Sequence, residues 1–321
     1  MKRLTIMAAT ALPLVLSGGL AGADTFVRTI SGPQGGAWYP YAAKMSEMFQ
    51  KNIKGISTST GPGGGVGNVR DVHRGNAEIG WTFGHTAVAG FNGSGPFKGT
   101  KHDDIRFFAN LYPGLLQMAV RKDSKIKSLR DIGAARISPG KLTFAGNIAF
   151  EKLIKFYGFT YDGIKKAGGT IHRVGFSDGA ALLKDRHIDL MVAMTTAPNA
   201  AYLSVDFQPG FRLLPVDDDI ATKYVAENPG FIKTRVSKGA YTSLSEDVPA
   251  VAAPNIMIVH KSVPEGLAYQ LAKVVWEHHG EIAQVNKFWN NVKLADALEG
   301  AGIPVHPGVM RFYEEKGVMK K

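Results

Sequence analysis

The chain contains no cysteine in its 321 residues. Disulfides, thiolate metal sites and a lipid anchor on an N-terminal cysteine are therefore excluded, and the fold must be held by its core. It also lacks an apolar run long enough to span a bilayer, which takes about 20 residues. The nearest approach, residues 4–16, is interrupted by Pro13. Basic residues exceed acidic ones, 38 to 27, giving a formal charge of +11, yet they are scattered in pairs such as Lys165-Lys166 and Lys320-Lys321. Nucleic-acid binding needs a clustered basic stripe with stacking aromatics, so none is expected. Fixed-period repeats and low-complexity segments are missing. So are catalytic signatures: Ser31-Gly32-Pro33 and Ser138-Pro139-Gly140 form no nucleophile elbow, and no H-E-x-x-H, G-x-G-x-x-G or Walker lysine occurs. His278 and Glu281 have a spacing that metals use, but nothing nearby in sequence completes a coordination shell, so no metal or cofactor is expected.

The N-terminus carries an export pattern. Lys2 and Arg3 precede the apolar stretch, and Ala21-Gly22-Ala23 before Asp24 reads as a cleavage site. A signal over residues 1–23 is expected, with cleavage between Ala23 and Asp24 and a periplasmic destination. Loss of Lys2 and Arg3 lowers the charge from +11 to +9. About 300 residues then remain, enough to bury roughly three quarters of the unfolded surface and to form two lobes.

Short apolar runs alternate with helical patterns. Strands are expected at residues 26–30, 56–60, 78–83, 107–112, 116–120, 142–145, 171–174, 188–193, 211–214 and 255–259. Tyr41, Met45, Met48 and Phe49 fall on one helical face, and a long helix is expected over 265–284. Ser177-Asp178 is a plausible helix cap. Alternation of this kind predicts parallel α/β sheets, and its restart near residue 115 predicts two such units. Ligands in open α/β sheets sit beyond the carboxyl ends of the strands.

Several strand ends run into small, polar loops that open helices. Gly32-Pro33-Gln34-Gly35-Gly36-Ala37-Trp38-Tyr39 offers a glycine turn where backbone N–H groups can meet an anion, with Trp38 and Tyr39 as walls. An ordinary strand–helix turn would read the same way. Gly61-Pro62-Gly63-Gly64-Gly65-Val66-Gly67-Asn68 is costly to order, which suggests close backbone approach unless it is a flexible surface loop. Trp81-Thr82-Phe83-Gly84-His85 supplies aromatics, a hydroxyl and an imidazole, or else simply core. Lobe two offers Gly146-Asn147 and Thr195-Thr196-Ala197-Pro198-Asn199. The expected ligand-binding set is thus Gln34, Gly35, Gly36, Trp38, Tyr39, Gly64, Gly65, Asn68, Thr82, Phe83 and His85. From lobe two it takes Gly146, Asn147, Thr195, Thr196, Pro198 and Asn199.

In order along the chain, these and other segments resemble the TAXI-type solute receptors of tripartite (TRAP) transporters. Gly32-Pro33-Gln34-Gly35-Gly36-Ala37-Trp38-Tyr39-Pro40 is similar to the family's opening G-x-x-G-G-x-Y-Y-P loop. Gly64-Gly65-Val66-Gly67-Asn68 matches its G-G-S-x-x-N loop in part, with Gly65 at the serine position. Further similar segments are Arg74 through Gly80, Gly95-Pro96-Phe97-Lys98-Gly99, and Asp123 through Ile132. Pro198-Asn199, Val305-His306-Pro307-Gly308 and Tyr313-Glu314-Glu315-Lys316-Gly317 complete the series. The sequence departs from the family at Thr82-Phe83-Gly84-His85 and around Phe144-Ala145-Gly146-Asn147. The resemblance implies a two-lobed periplasmic-binding-protein fold of type II, with residues 24–113 and 251–321 in lobe one and 114–250 in lobe two. It implies a monomeric, non-enzymatic receptor that passes a small carboxylate, glutamate-like or dicarboxylate, to a TRAP permease subunit. An ABC importer or a sensor kinase would use the same fold; a secreted hydrolase is the more distant alternative.

Overall fold

The computed structural model describes residues 25–318; the expected signal and its cleavage point lie outside the described residues. Lobe one opens with β1 (Thr25–Ile30), α1 (Trp38–Asn52), β2 (Ile56–Gly61), α2 (Gly65–His73), β3 (Ile79–Phe83) and α3 (Gly84–Asn92). β1 lies between β2 and β3, parallel to both. A long strand, β4 (Ile105–Arg121), leads to lobe two. There the order is β5 (Arg136–Ser138), α4 (Ala145–Lys155), α5 (Tyr161–Lys166), β6 (Thr170–Ile171), α6 (Phe176–Lys184) and β7 (Leu190–Thr195). It continues through α7 (Ala200–Asp206), β8 (Phe211–Leu213), α8 (Asp218–Glu227) and β9 (Ile232–Val236). A second long strand, β10 (Val248–His260), returns to lobe one, where α9 (Glu265–Glu277), α10 (His279–Ala283) and α11 (Pro307–Glu315) close the chain.

The sheet runs β2-β1-β3-β10-β4-β7-β5-β6, with β8 on β4 and β9 on β10. β3 pairs the end of β10 and β7 pairs the end of β4, both antiparallel. Each lobe is thus a parallel trio completed by long strands that both lobes share. The expected two-lobed α/β fold is the fold observed. The expected boundaries, after 113 and after 250, fall inside β4 and β10. A large core surrounds lobe one and one face of lobe two, with Tyr41, Trp81, Tyr112 and Trp289 packed ring to ring. A smaller core of Phe144, Phe176, Leu183, Tyr202, Phe211 and Tyr241 fills the rest of lobe two. Burial of each such side chain is worth about 1.5–3 kcal/mol, which is how a cysteine-free chain is held.

Four local expectations are corrected. Residues 107–112 and 116–120 are one strand, because β10 pairs straight across Pro113-Gly114. Residues 142–145 are not a strand: Leu142 is 66% exposed in a turn after Gly140 (φ 88°), and the strand of this region is β5. Ser177-Asp178 lie inside the first turn of α6, whose N-cap is Gly175. The helix expected over 265–284 breaks at His278 into α9 and α10. Among the described residues no helix is long and apolar enough to cross a membrane.

Candidate functional site

Three glycine-bearing loops at helix starts meet at the seam between the lobes. The β1–α1 turn places Gly35 at φ 77°, with the Gly36 N–H donating to Pro33 O (3.0 Å). A Cβ on Gly35 would lie 2.5 Å from Ser177 Oγ and 3.3 Å from Ala201 Cβ, both in lobe two. The β2–α2 turn brings Gly64 against Phe144, where a Cβ would lie 2.5 Å from the ring and 2.9 Å from Thr143 O. Backbone bonds cross the seam: Val66 N–H donates to Thr143 O (3.1 Å) and Ala201 N–H to Gly35 O (3.4 Å). In lobe two, Gly146 opens α4 against the backbone of Met194 at the end of β7.

These elements enclose a cavity of about 20 Å³. Lobe one lines it with Gly36, Trp38, Gly64, Gly65 and Phe83; lobe two with Phe144, Gly146, Phe176, Met194 and Thr195. No lining residue is charged. Trp38 and Phe83 lie 5.0 Å apart between ring centroids, and Phe144 and Phe176 5.3 Å. The N-termini of α1, α2 and α4 open at this wall with partial positive charge, and at α2 the Gly64 and Val66 N–H groups are already taken by Asn68 Oδ1 and Thr143 O. On one side is a polar cavity of about 310 Å³ bordered by Gln34, Lys141, Ser177 and Asp178. Another, of about 210 Å³, is bordered by His85, Thr86, Lys152, Asn228 and Phe231.

Of the expected residues, Gly36, Trp38, Gly64, Gly65, Phe83, Gly146 and Thr195 line the central cavity. Gln34 stands in the polar cavity beside it, and Gly35 in the lobe contact. Tyr39 is half-buried and lines none of these three cavities. The asparagines expected across the cleft turn inward instead. Asn68 Nδ2 donates to Ser31 O and Trp81 O (both 2.6 Å) and its Oδ1 accepts from Gly64 N–H (3.0 Å). Asn147 Oδ1 accepts from Arg173 Nη1 (2.6 Å) and Tyr161 Oη (3.0 Å). Asn199 caps α7 through the Ala201 N–H and donates to Thr195 Oγ1. Thr82 Oγ1 donates to Gly65 O (2.8 Å) and Thr196 Oγ1 to Pro198 O (3.1 Å). The reason is common to all: a buried amide or hydroxyl without a partner is costly, so it takes whichever backbone or side-chain group lies open beside it.

His85 belongs to the 210 Å³ cavity, not the central one. Its Nε2 lies 3.1 Å from Thr86 Oγ1, and its buried Nδ1 has no hydrogen-bond partner. Burial, and then the nearby Lys152 charge, push its pKa down to about 3, so the ring is neutral. The sequence reading missed Phe144, Phe176 and Met194 as site residues. Their one signal is position, Met194 just before Thr195 and Phe176 opening a helix.

His73, Asp103 and Asp104 bring potential metal-ligating atoms within 4.8 Å of one another. Two of these groups are already engaged: His73 Nδ1 accepts from the Asp104 N–H (3.3 Å), and the Asp104 carboxylate pairs with Lys261 (2.6 Å). His278 is bonded to Glu281 (2.7 Å).

A family comparison bears on this architecture. The NMT1-like family matches residues 30–317. The chain belongs to the NMT1-like family. Similar solved structures include an alkanesulfonate-binding protein from Xanthomonas axonopodis pv. citri bound to MOPS, at 12% identity and TM-score 0.49, covering 91% of this chain and 83% of that one. The substrate-binding protein of an amino acid ABC transporter is 15% identical at TM-score 0.47, covering 83% and 98%. The periplasmic aliphatic sulphonate-binding protein from Escherichia coli is 11% identical at TM-score 0.44, covering 90% and 78%.

Proposed function

We propose that this NMT1-like protein is the exported receptor of a membrane importer, that it captures a small organic anion between its lobes, and that it makes and breaks no bond. The observation that carries the reading is the meeting of three helix N-termini, from both lobes, around one uncharged cavity with aromatic walls. Backbone N–H groups there stabilise a carboxylate or sulfonate without a full ion pair, while Trp38, Phe83, Phe144 and Phe176 pack on an apolar body. A cavity of 20 Å³ holds about one water, whereas small-molecule sites measure roughly 300–1,000 Å³. A ligand therefore enters only when the lobes part, and the motion is a hinge opening.

The importer class is where two readings divide. Family membership reaches the NMT1-like level without reaching the TAXI type, which agrees better with an ABC importer than with a tripartite transporter. The tripartite reading keeps the ordered motifs of the sequence. Crosslinking in native membranes that recovers a permease with an ATP-binding subunit supports the first reading; recovery of a tripartite permease reverses the preference.

The test of ligand class is a thermal-stability screen over monocarboxylates, dicarboxylates, alkanesulfonates, amino acids and neutral sugars. A ligand at a thousandfold excess over Kd adds about 4 kcal/mol. Stabilisation by an organic anion, abolished in Trp38→Ala, is expected. A response confined to sugars or cationic amines overturns the proposal.

A further inference from the structure

The strands that join the lobes carry an irregularity beside the cavity. Pro254 of β10 pairs with Pro113 of β4, so neither residue can donate to the ladder at the crossing. The next pair is Ile256 with Asn110. Leu111 and Tyr112 therefore stand against the single residue Asn255, a bulge that leaves one residue of β4 without a ladder partner. Asn255, fully buried, fills the gap with its side chain: Nδ2 donates to Tyr112 O (2.7 Å). Its Oδ1 accepts from the Trp38 indole Nε1–H (2.9 Å). The adjoining Gly114 has no room for a side chain, since a Cβ would lie 2.6 Å from the Phe83 ring and 3.2 Å from Asn255 Nδ2. Trp38 and Phe83 are cavity walls. β4 belongs to lobe one before this point and pairs with β7 of lobe two after it.

We propose that Asn255 is a positioning residue that ties the seating of Trp38 in the cavity wall to the angle between the lobes. One amide bridges a ring that a ligand would touch and the backbone where the connecting strands bend most easily. If Trp38 tilts, the bond to Asn255 is strained, and the other group this amide holds among the described residues is the bulged carbonyl of Tyr112. For its purpose the inference rests on the receptor reading; for its test it does not, because lobe separation is measured on the protein alone.

The chain has no cysteine, so two can be introduced and labelled without background. Glu47→Cys on α1 and Asp162→Cys on α5, with side chains 65% and 81% exposed, report on one lobe each. Spin-label distance distributions are then compared for the parent, Trp38→Phe, Asn255→Ala and the double variant. Trp38→Phe removes the N–H donor and keeps an aromatic ring, so it tests the link even if Asn255→Ala folds poorly. A longer-distance population in each single variant, no larger in the double than in Asn255→Ala, is the expected result, because both changes break one link. A distribution in Trp38→Phe that matches the parent overturns the proposal, and leaves Asn255 a structural filler whose removal only lowers stability. A ligand screen with no organic anion bound would remove the receptor reading and leave these distances as they are.

Discussion

The two lobes are built on the same frame and differ at its rim. In lobe one, Arg28 of β1 clamps Glu78, which stands just before β3: its N–H, Nε and Nη2 donate to the carboxylate at 2.6, 3.0 and 2.6 Å. In lobe two, Arg136 of β5 clamps Asp189, just before β7, with the same three donors at 2.9, 3.0 and 2.7 Å. The reverse backbone bond is also present in both, from Glu78 N–H to Arg28 O and from Asp189 N–H to Arg136 O. The rims diverge. β3 runs straight into α3, whereas β7 reaches α7 only after Thr196–Asn199. Asn68 of lobe one is closed on backbone groups alone; Asn147 of lobe two is closed on Arg173 and Tyr161. Lobe one thus holds its rim asparagine through main-chain groups, and lobe two holds its own through an arginine and a buried tyrosine.

The largest expected effect tests that contrast directly. Asn68→Ala leaves Ser31 O, Trp81 O and the Gly64 N–H without their partner and is expected to cost about 3 kcal/mol in urea unfolding. Asn147→Ala is expected to cost less, about 1–2 kcal/mol, since Arg173 regains water. Equal costs would break the comparison. Next is an acid sensitivity that belongs to lobe one. His85 is held at about 3, below the ordinary value of 6.5, so folding favours its neutral form. Its contribution is full above pH 6.5 and is lost as pH falls from 6.5 toward 3, by up to about 2 kcal/mol at pH 5. Unfolding curves of His85→Gln should lack that slope.

Smaller is the effect of Gly64→Ala. Its backbone (φ −167°) suits any residue, so the substitution adds no backbone strain. The added Cβ meets the Phe144 ring and Thr143 O. The closed arrangement should become roughly tenfold rarer, about 1.4 kcal/mol, read as a larger radius of gyration in small-angle scattering. Phe144→Ala in the same chain should restore part of it. Smallest are the clamps: Glu78→Gln and Asp189→Asn should each cost about 1 kcal/mol. Burial raises both carboxyls, but the arginine bonds outweigh it and hold them below their ordinary range. The stability they add is present at neutral pH and fades as pH falls through the carboxylate range. The more buried Glu78 should give the larger loss.

Much of the frame was legible because its signals are local. Alternating strands and helices, the face of Tyr41, Met45, Met48 and Phe49, and Gly75 (φ 71°) after α2 depend on neighbours a few residues away. The errors fall where distant partners decide. Residues 107–112 and 116–120 became one strand only because β10 lies alongside, and 142–145 failed as a strand because among the described residues its neighbour is the helix start at Gly64–Val66 and no strand pairs with it.

The sequence by itself determined that cysteine chemistry is excluded, that two α/β units follow one another, and that glycine turns open helices at their strand ends. Composition and short-range pattern suffice for each. Only the tertiary structure decided which of those rim residues face the cavity. Asn68 meets Ser31 and Trp81, 37 and 13 residues away, and Asn255 meets Trp38 at a separation of 217. A buried amide goes to whichever open backbone or side-chain group the fold brings within about 3 Å, and that choice is made by the packing of the two lobes, not by the residues on either side of it.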